Sequence, residues 1–240
     1  MAKRTPEGPA PAPPVQKLRV RYAKRGRLRF SSTRDFQRAL ERALRRAGVP
    51  TAFSAGFHPH PKVSYANAAP TGAASEAEYF ELSVTERVDP EQVRAALDAA
   101  LPEGLDVLEV VEASAHNLAD RLQASRWVLD LPGVEVAVLR GALDLLLERD
   151  RVEVTRVTKR GPRTFDVRSA LVTADVTAGP GGARLGLVLR HEAPVVRTDD
   201  VMTALREVAG LVPPRAPRAT RLRQGVLGAD DAIGDPLADA

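Results

Sequence analysis

Lys17-Leu18-Arg19-Val20-Arg21-Tyr22 alternates apolar and basic side chains without a break, the period-two pattern of a strand with one face in a core and one basic face in solvent. Past the turn residues Lys24-Arg25-Gly26, the run Arg27-Leu28-Arg29-Phe30 takes up the same alternation. The period then changes. Ser32 stands three residues before Asp35, as in a capping box, and Phe36, Leu40, Ala43, Leu44 and Ala47 recur at helical spacing as far as the stop at Gly48. The pattern predicts a strand followed by a helix over 34–47, with Arg38, Arg42 and Arg45 in a second, basic stripe.

Working outward, the chain offers a short strand near Thr51–Ser54, the loop Gly56-Phe57-His58-Pro59-His60-Pro61-Lys62, and a strand over Val63–Ala68. Glu78 to Thr85 alternates again with Phe80, Leu82 and Val84 inward; Asp89-Pro90 opens a helix over 89–101; Leu105–Val111 closes the unit. The order β-α-β-β-α-β is the ferredoxin-like arrangement. One apolar stripe per helix places both helices on the same face of the sheet. The second half repeats the order less cleanly. Strands are expected near 127–131, 152–157, 164–168, 171–177, 184–191 and 218–226, with helices from Val136 and Thr198. The expected fold class is therefore α+β, with two ferredoxin-like halves built on antiparallel sheets, over 15–113 and 124–227, and a linker at 114–123. A disordered Pro-rich arm at 1–14 and an acidic disordered tail at 228–240 flank them. A single sheet continued across the halves is the alternative.

Charge is segregated along the 240 residues. Residues 1–62 hold 15 Lys and Arg against three Asp and Glu, whereas 63–150 hold six against 17, and the whole chain nets only +4. Such a block points to a polyanion partner. The chain has no cysteine, which excludes disulfides, a cysteine nucleophile and any iron–sulfur cluster held by the chain itself. No apolar run is long enough to span a bilayer, and the Lys-, Arg- and Pro-rich start lacks the apolar centre of a secretory signal, so a cytoplasmic location is expected.

The basic surface Arg19, Arg21, Arg25, Arg27, Arg29, Arg38, Arg42, Arg45 and Lys62 suits phosphate, because outward side chains on a strand recur every ~6.6 Å and guanidinium forks fit phosphate oxygens. Phe57 and His60 are candidates for stacking beside it, and structured RNA is the expected ligand. Lys159, Arg160 and Arg163, with Arg168 beyond them, form a possible second phosphate contact, although Asp166, two residues from Arg168 on the same strand face, offers to neutralise it. His58 and His60 could bind a metal or move a proton, but with only four histidines and no cysteine in the chain neither a metal nor a cofactor is expected. A rigid, proline-set loop that presents Phe57, His60 and Lys62 is preferred. No constellation by itself specifies catalysis.

Several runs together resemble a known family, the radical-SAM-linked family of uncharacterised bacterial proteins. They are Arg21-Tyr22-Ala23-Lys24-Arg25-Gly26, Arg27-Leu28-Arg29-Phe30 leading to Arg38 through Gly48, Ser54-Ala55-Gly56-Phe57, Pro59-His60-Pro61-Lys62 and Ser75-Glu76-Ala77-Glu78-Tyr79. Lys159-Arg160-Gly161, Thr164-Phe165-Asp166-Val167-Arg168 and Thr220-Arg221 continue the likeness. The family shows Ser-His shortly before the Asp that opens the first helix, where this chain has Ser32-Thr33, so any role of that histidine is missing here. The resemblance implies a partner of a radical-SAM protein, with a ribonuclease of the E/G type as a further partner, in RNA maturation or modification. Three readings follow. The first is an RNA-binding or substrate-presenting partner of a radical-SAM enzyme. The others are a metal-independent RNA-processing enzyme using His60 and an interaction module that docks an acidic protein. Oligomeric state is not legible.

Overall fold

The computed structural model describes residues 11–158 and 161–238. Most of the expected N-terminal arm, the candidates Lys159 and Arg160, and the last two residues lie outside the described residues. The chain divides into two units, one reaching Asp120 and one running from Arg121 to Pro236.

The first unit contains β1 (Gln16–Lys24), α1 (Thr33–Arg46), β2 (Val63–Ala66), β3 (Ala74–Val84), α2 (Pro90–Ala100) and β4 (Val107–Glu112). β1 lies between β4 and β3, and β2 forms the edge beyond β3, all antiparallel. Val20 pairs with Phe80 on one side and Val110 on the other. This is the ferredoxin-like order. Leu18, Val20 and Tyr22 share one face, and Phe36, Leu40, Ala43 and Leu44 of α1 join Val93 and Leu97 of α2 in a single cluster on it, so both helices cover the same face, as their stripes require. Tyr22 stacks on Phe36 with ring centroids 4.2 Å apart. The capping box is present, with Asp35 N donating to Ser32 Oγ at 3.2 Å and Ser32 N donating to Asp35 Oδ2 at 3.1 Å.

One expected element is different. Arg27–Phe30 does not resume the strand; Gly26–Phe30 is a 3-10 turn. Gly26 has φ +53°, and Arg25 is gripped from the side, its N–H donating to Gly104 O at 2.8 Å. The backbone therefore bends where alternation alone predicts it to run straight. The Thr51–Ser54 strand is reduced to single bridges, Thr51 to Val84 and Phe53 to Pro61. Residues 114–123 carry the short helix α3 (Leu118–Arg121).

The second unit contains β5 (Ala124–Pro132), α4 (Val136–Leu147), β6 (Glu153–Thr158), β7 (Gly161–Asp166), α5 (Val167–Ala170), β8 (Leu171–Gly179), β9 (Gly182–Arg190), α6 (Thr198–Ala209) and β10 (Arg218–Gly225). The order β10-β5-β9-β8 repeats the ferredoxin-like plan, and Gly179 pairs with Gly182 across the Pro180-Gly181 turn. β6 and β7 form a separate two-stranded sheet inserted before β8. The strand expected over 164–168 ends at Asp166, whose Oδ1 accepts from Arg168 N at 3.0 Å and Val152 N at 3.1 Å. Asp166 thus caps a helical turn, and its carboxylate does not neutralise the Arg168 side chain. The acidic tail is also folded as far as the described residues go. Gly228 N donates to Ala232 O at 2.9 Å, and Ile233, bridged to Leu227, is buried beside Ala124 and Val188. One isoleucine among acids anchors a turn that composition reads as solvated.

Candidate nucleic-acid interface

The basic residues divide by element. Those of β1 are already engaged. Arg19 is 1% exposed, where the alternation predicts solvent. Its Nε donates to Glu81 at 3.1 Å, its Nη1 to Ser114 Oγ at 2.8 Å, and its Nη2 to the His116 carbonyl. Arg21 Nε donates to Glu76 O at 3.0 Å, and Lys17 pairs with Glu81. Arg25 is held by Glu76, to which its Nε donates at 2.7 Å, and by Asp106 at 2.5 Å; these hydrogen bonds, chiefly that to Glu76, raise its affinity for its proton. A buried, fully bonded guanidinium orders the sheet and is not offered to a ligand.

The arginines of α1 are the opposite case. With Phe36, Leu40, Ala43 and Leu44 buried, the helical period puts Arg34, Arg38, Arg42 and Arg45 on the outward side, and all four are exposed. Among the described residues none of them forms an ion pair within 4.0 Å. Of the two acids in α1, Glu41 forms no ion pair with the row among the described residues, and Asp35 is committed to the cap: hydrogen bonds from Ser32 lower its pKa, with the charges of Arg38 and Arg34 adding to the effect. Arg46 points elsewhere and donates to Ala100 O. Arg34 belongs to this row although sequence reading passed over it; its i, i+4 spacing to Arg38 was the available signal.

Each end of the row carries unusual side chains. At the N-terminal end lies the 3-10 turn, with Arg27 exposed and the Arg29 guanidinium over the Phe30 ring, 4.7 Å from its centroid. Arg29 Nε has no hydrogen-bond partner among the described residues. Phe30 is 59% exposed. At the other end, Lys62 N donates to Ala52 O and Ser83 N to Lys62 O, fixing the base of the 53–61 loop near the C-terminal end of β3. Here Phe57 is 61% and Phe53 39% exposed, and His58, His60 and Lys62 are exposed too. His60 Nδ1 lies 3.0 Å from Ser54 Oγ and 3.3 Å from His58 O, which turns Nε2 outward. Phe30 and Phe53 were missed, the first because it was read into a strand.

Among the described residues no three His, Asp or Glu side chains gather where they could hold a metal. A cavity bounded by Tyr22, Lys24, Phe36, Tyr65 and Glu78 measures about 30 Å³, room for about a water or two. In the second unit Arg163 is exposed on β7 and Arg168 half-buried, while Arg156 pairs with Asp200 and lies over Phe165. His191 Nε2 is 2.6 Å from Ser125 Oγ and its Nδ1 2.7 Å from Leu122 O. Burial lowers its pKa, and Ser125 is itself fully buried, so the pair is an internal tie. No helix among the described residues is long and apolar enough to cross a membrane.

The chain belongs to the bacterial family described as "Uncharacterized protein conserved in bacteria (DUF2344)", which it matches over residues 17–198. No curated protein matches the sequence. Among solved structures, one similar to it is titled as the crystal structure of a Cbf5-Nop10-Gar1 complex, with 11% identity, TM-score 0.45, and coverage of 93% of this chain and 55% of that one. Another is that of the first two RRM domains of yeast poly(U)-binding protein Pub1, with 13% identity, TM-score 0.22, and coverage of 86% and 98%.

Proposed function

We propose that this DUF2344 protein binds RNA through the outward face of α1, as the RNA-binding or substrate-presenting partner of a radical-SAM enzyme acting in RNA maturation or modification. The observation that carries the reading is the row of four exposed, unpaired arginines, Arg34, Arg38, Arg42 and Arg45, on a helix whose other face is locked into the core. Residues four apart, such as Arg34, Arg38 and Arg42, advance ~6 Å along the axis, a step that suits neighbouring phosphates, and a rigid helix presents its guanidinium forks without ordering a loop. Lys62 and Arg27 extend the positive surface at either end. The chain has no cysteine, so radical chemistry would belong to the partner and the RNA contacts to this protein.

The test is affinity purification of the tagged full-length protein from its native host after mild crosslinking, beside a version carrying Arg38→Gln, Arg42→Gln and Arg45→Gln. The expected result is RNA, together with a radical-SAM protein or a ribonuclease of the E/G type, with the RNA lost from the triple variant. Equal RNA recovery from both, or none from either, refutes the RNA reading. An acidic protein recovered in place of RNA favours the interaction-module reading.

A further inference from the structure

We infer that the first unit selects an unpaired stretch of RNA, stacking bases on Phe30 at one end of α1 and on Phe57 at the other, while phosphates follow the arginine row between them. This rests on the RNA-binding reading above and narrows it to a class of ligand.

The argument begins with where the aromatic side chains are. The chain has only six phenylalanines, and Phe30, Phe53 and Phe57 are exposed, although each would gain by burial. The three are not scattered. Phe30 precedes α1, the helix with the unpaired arginine row, by three residues, and Phe53 and Phe57 follow its last residue by seven and 11, in the loop whose base is fixed beside the end of β3; none lies in the second unit. Phe30 is also held in place. Gly72 N donates to Arg29 O at 2.8 Å, which ties the backbone beside Phe30 to the loop at Gly72; a Cβ added at Gly72 would stand 3.9 Å from the Phe30 ring. The guanidinium of Arg29, which forms no ion pair among the described residues, covers part of a face. A flat ring and a flat cation, stacked and charge-unsatisfied, form a platform for a base that also draws in its phosphate.

Duplex RNA has no use for such platforms. Its base faces are occupied by stacking, and its readable groove offers hydroxyls and phosphates. An acidic protein would engage the arginines but has no general need of two ring platforms separated by the length of a helix. α1, at 14 residues, is ~21 Å long, a span of several nucleotides and within the site sizes of single-strand binders.

The experiment measures fluorescence anisotropy of the full-length protein with a labelled RNA of about 12 nucleotides, alone and annealed to its complement, with labelled polyglutamate as a third probe. The variants are Phe30→Ala, Phe30→Ala with Phe57→Ala, Phe30→Leu, and the arginine triple. The single strand should bind at least about tenfold tighter than the duplex. The double phenylalanine variant should lose that preference, about 5-fold or more per base platform, with the salt slope unchanged. Phe30→Leu keeps apolar bulk without the flat ring and should lose as much as alanine at that position. The arginine triple should weaken both RNAs. Duplex bound as well as single strand, or phenylalanine variants that bind like wild type while the arginine triple does not, overturns the inference and leaves the RNA reading standing. Polyglutamate bound as tightly as RNA, or no RNA bound at all, overturns both.

Discussion

Converting Arg38, Arg42 and Arg45 to glutamine should halve the salt dependence of RNA binding and leave the fold intact. Arg34, Arg38, Arg42 and Arg45 with Arg27 and Arg29 make six guanidinium groups that form no ion pair among the described residues. Each phosphate neutralised on a single strand contributes about −0.7 to the slope of log affinity against log salt, so six give about −4 and three about −2. Between about 50 and about 200 mM salt the wild type should weaken roughly 300-fold and the variant roughly 20-fold. The assay is an anisotropy titration at four or so salt concentrations. Replacing the same three positions with lysine keeps the charges and should restore the slope, although not the bidentate geometry. Because these side chains pack against nothing in the core, urea midpoints should match the wild type. A slope that stays near −4 in the glutamine variant, or one near zero in the wild type, refutes the assignment of phosphate contacts to this helix.

Other outcomes follow from individual side chains. Arg19→Met should destabilise the first unit by about 3 kcal/mol, since it strips hydrogen bonds from Glu81 and Ser114 and leaves a shielded carboxylate with only Lys17; a change under about 1 kcal/mol in urea unfolding would reduce this cage to the rank of a surface pair. His60→Ala should weaken RNA binding by about 1–3 kcal/mol through loss of a stacking or hydrogen-bonding edge, and RNA cleavage that disappears in this variant while binding persists would revive the enzyme reading. For His191, burial depresses the folded pKa, so the unfolded chain binds the proton first; the stability it contributes is present above about 6.5 and declines as pH falls below it. His191→Gln should flatten that acid limb in a series of thermal unfolding curves, and an unaltered limb would place the acid sensitivity elsewhere.

Periodicity was a reliable guide wherever a side chain's fate depends on its own element. The capping box at Ser32 and Asp35, the apolar stripe of α1, the Asp89-Pro90 start of α2 and the Pro180-Gly181 hairpin are all local signals, and all appear as read. The failures are non-local. Nothing within Arg27–Phe30 shows that Gly104, far along the chain, grips Arg25 and turns the backbone. Nothing within 164–168 shows that Asp166 is needed by the N–H of Val152. Ile233 looks stranded among acids until β5 and β9 supply Ala124 and Val188. In each case a hydrogen-bond partner or an apolar contact from a distant segment outweighed a local pattern worth no more than a few tenths of a kcal/mol per residue.

The larger misreading concerned charge, and topology explains it. Arg19 and Arg38 are alike in composition and both lie opposite apolar residues in their own elements. In a ferredoxin-like sheet, however, the first strand is always interior, flanked by the third and the fourth. Its outward side chains therefore have cross-strand neighbours on both sides, and here these segments are acidic: Glu81 opposes Arg19 from β3, and Glu76 within β3 and Asp106 just before β4 take Arg25, the residue after β1. A helix packed on that sheet has neighbours only along its own outward face, where Asp35 is spent on the cap and Glu41 forms no ion pair among the described residues. The acidic excess of residues 63–150 thus answers part of the basic excess of 1–62 inside one unit, and the part it answers is set by strand order. What stays unanswered is the helix. That is why the proposed polyanion site falls on α1, where the block of charge was no denser than on β1 but no second strand was available to neutralise it.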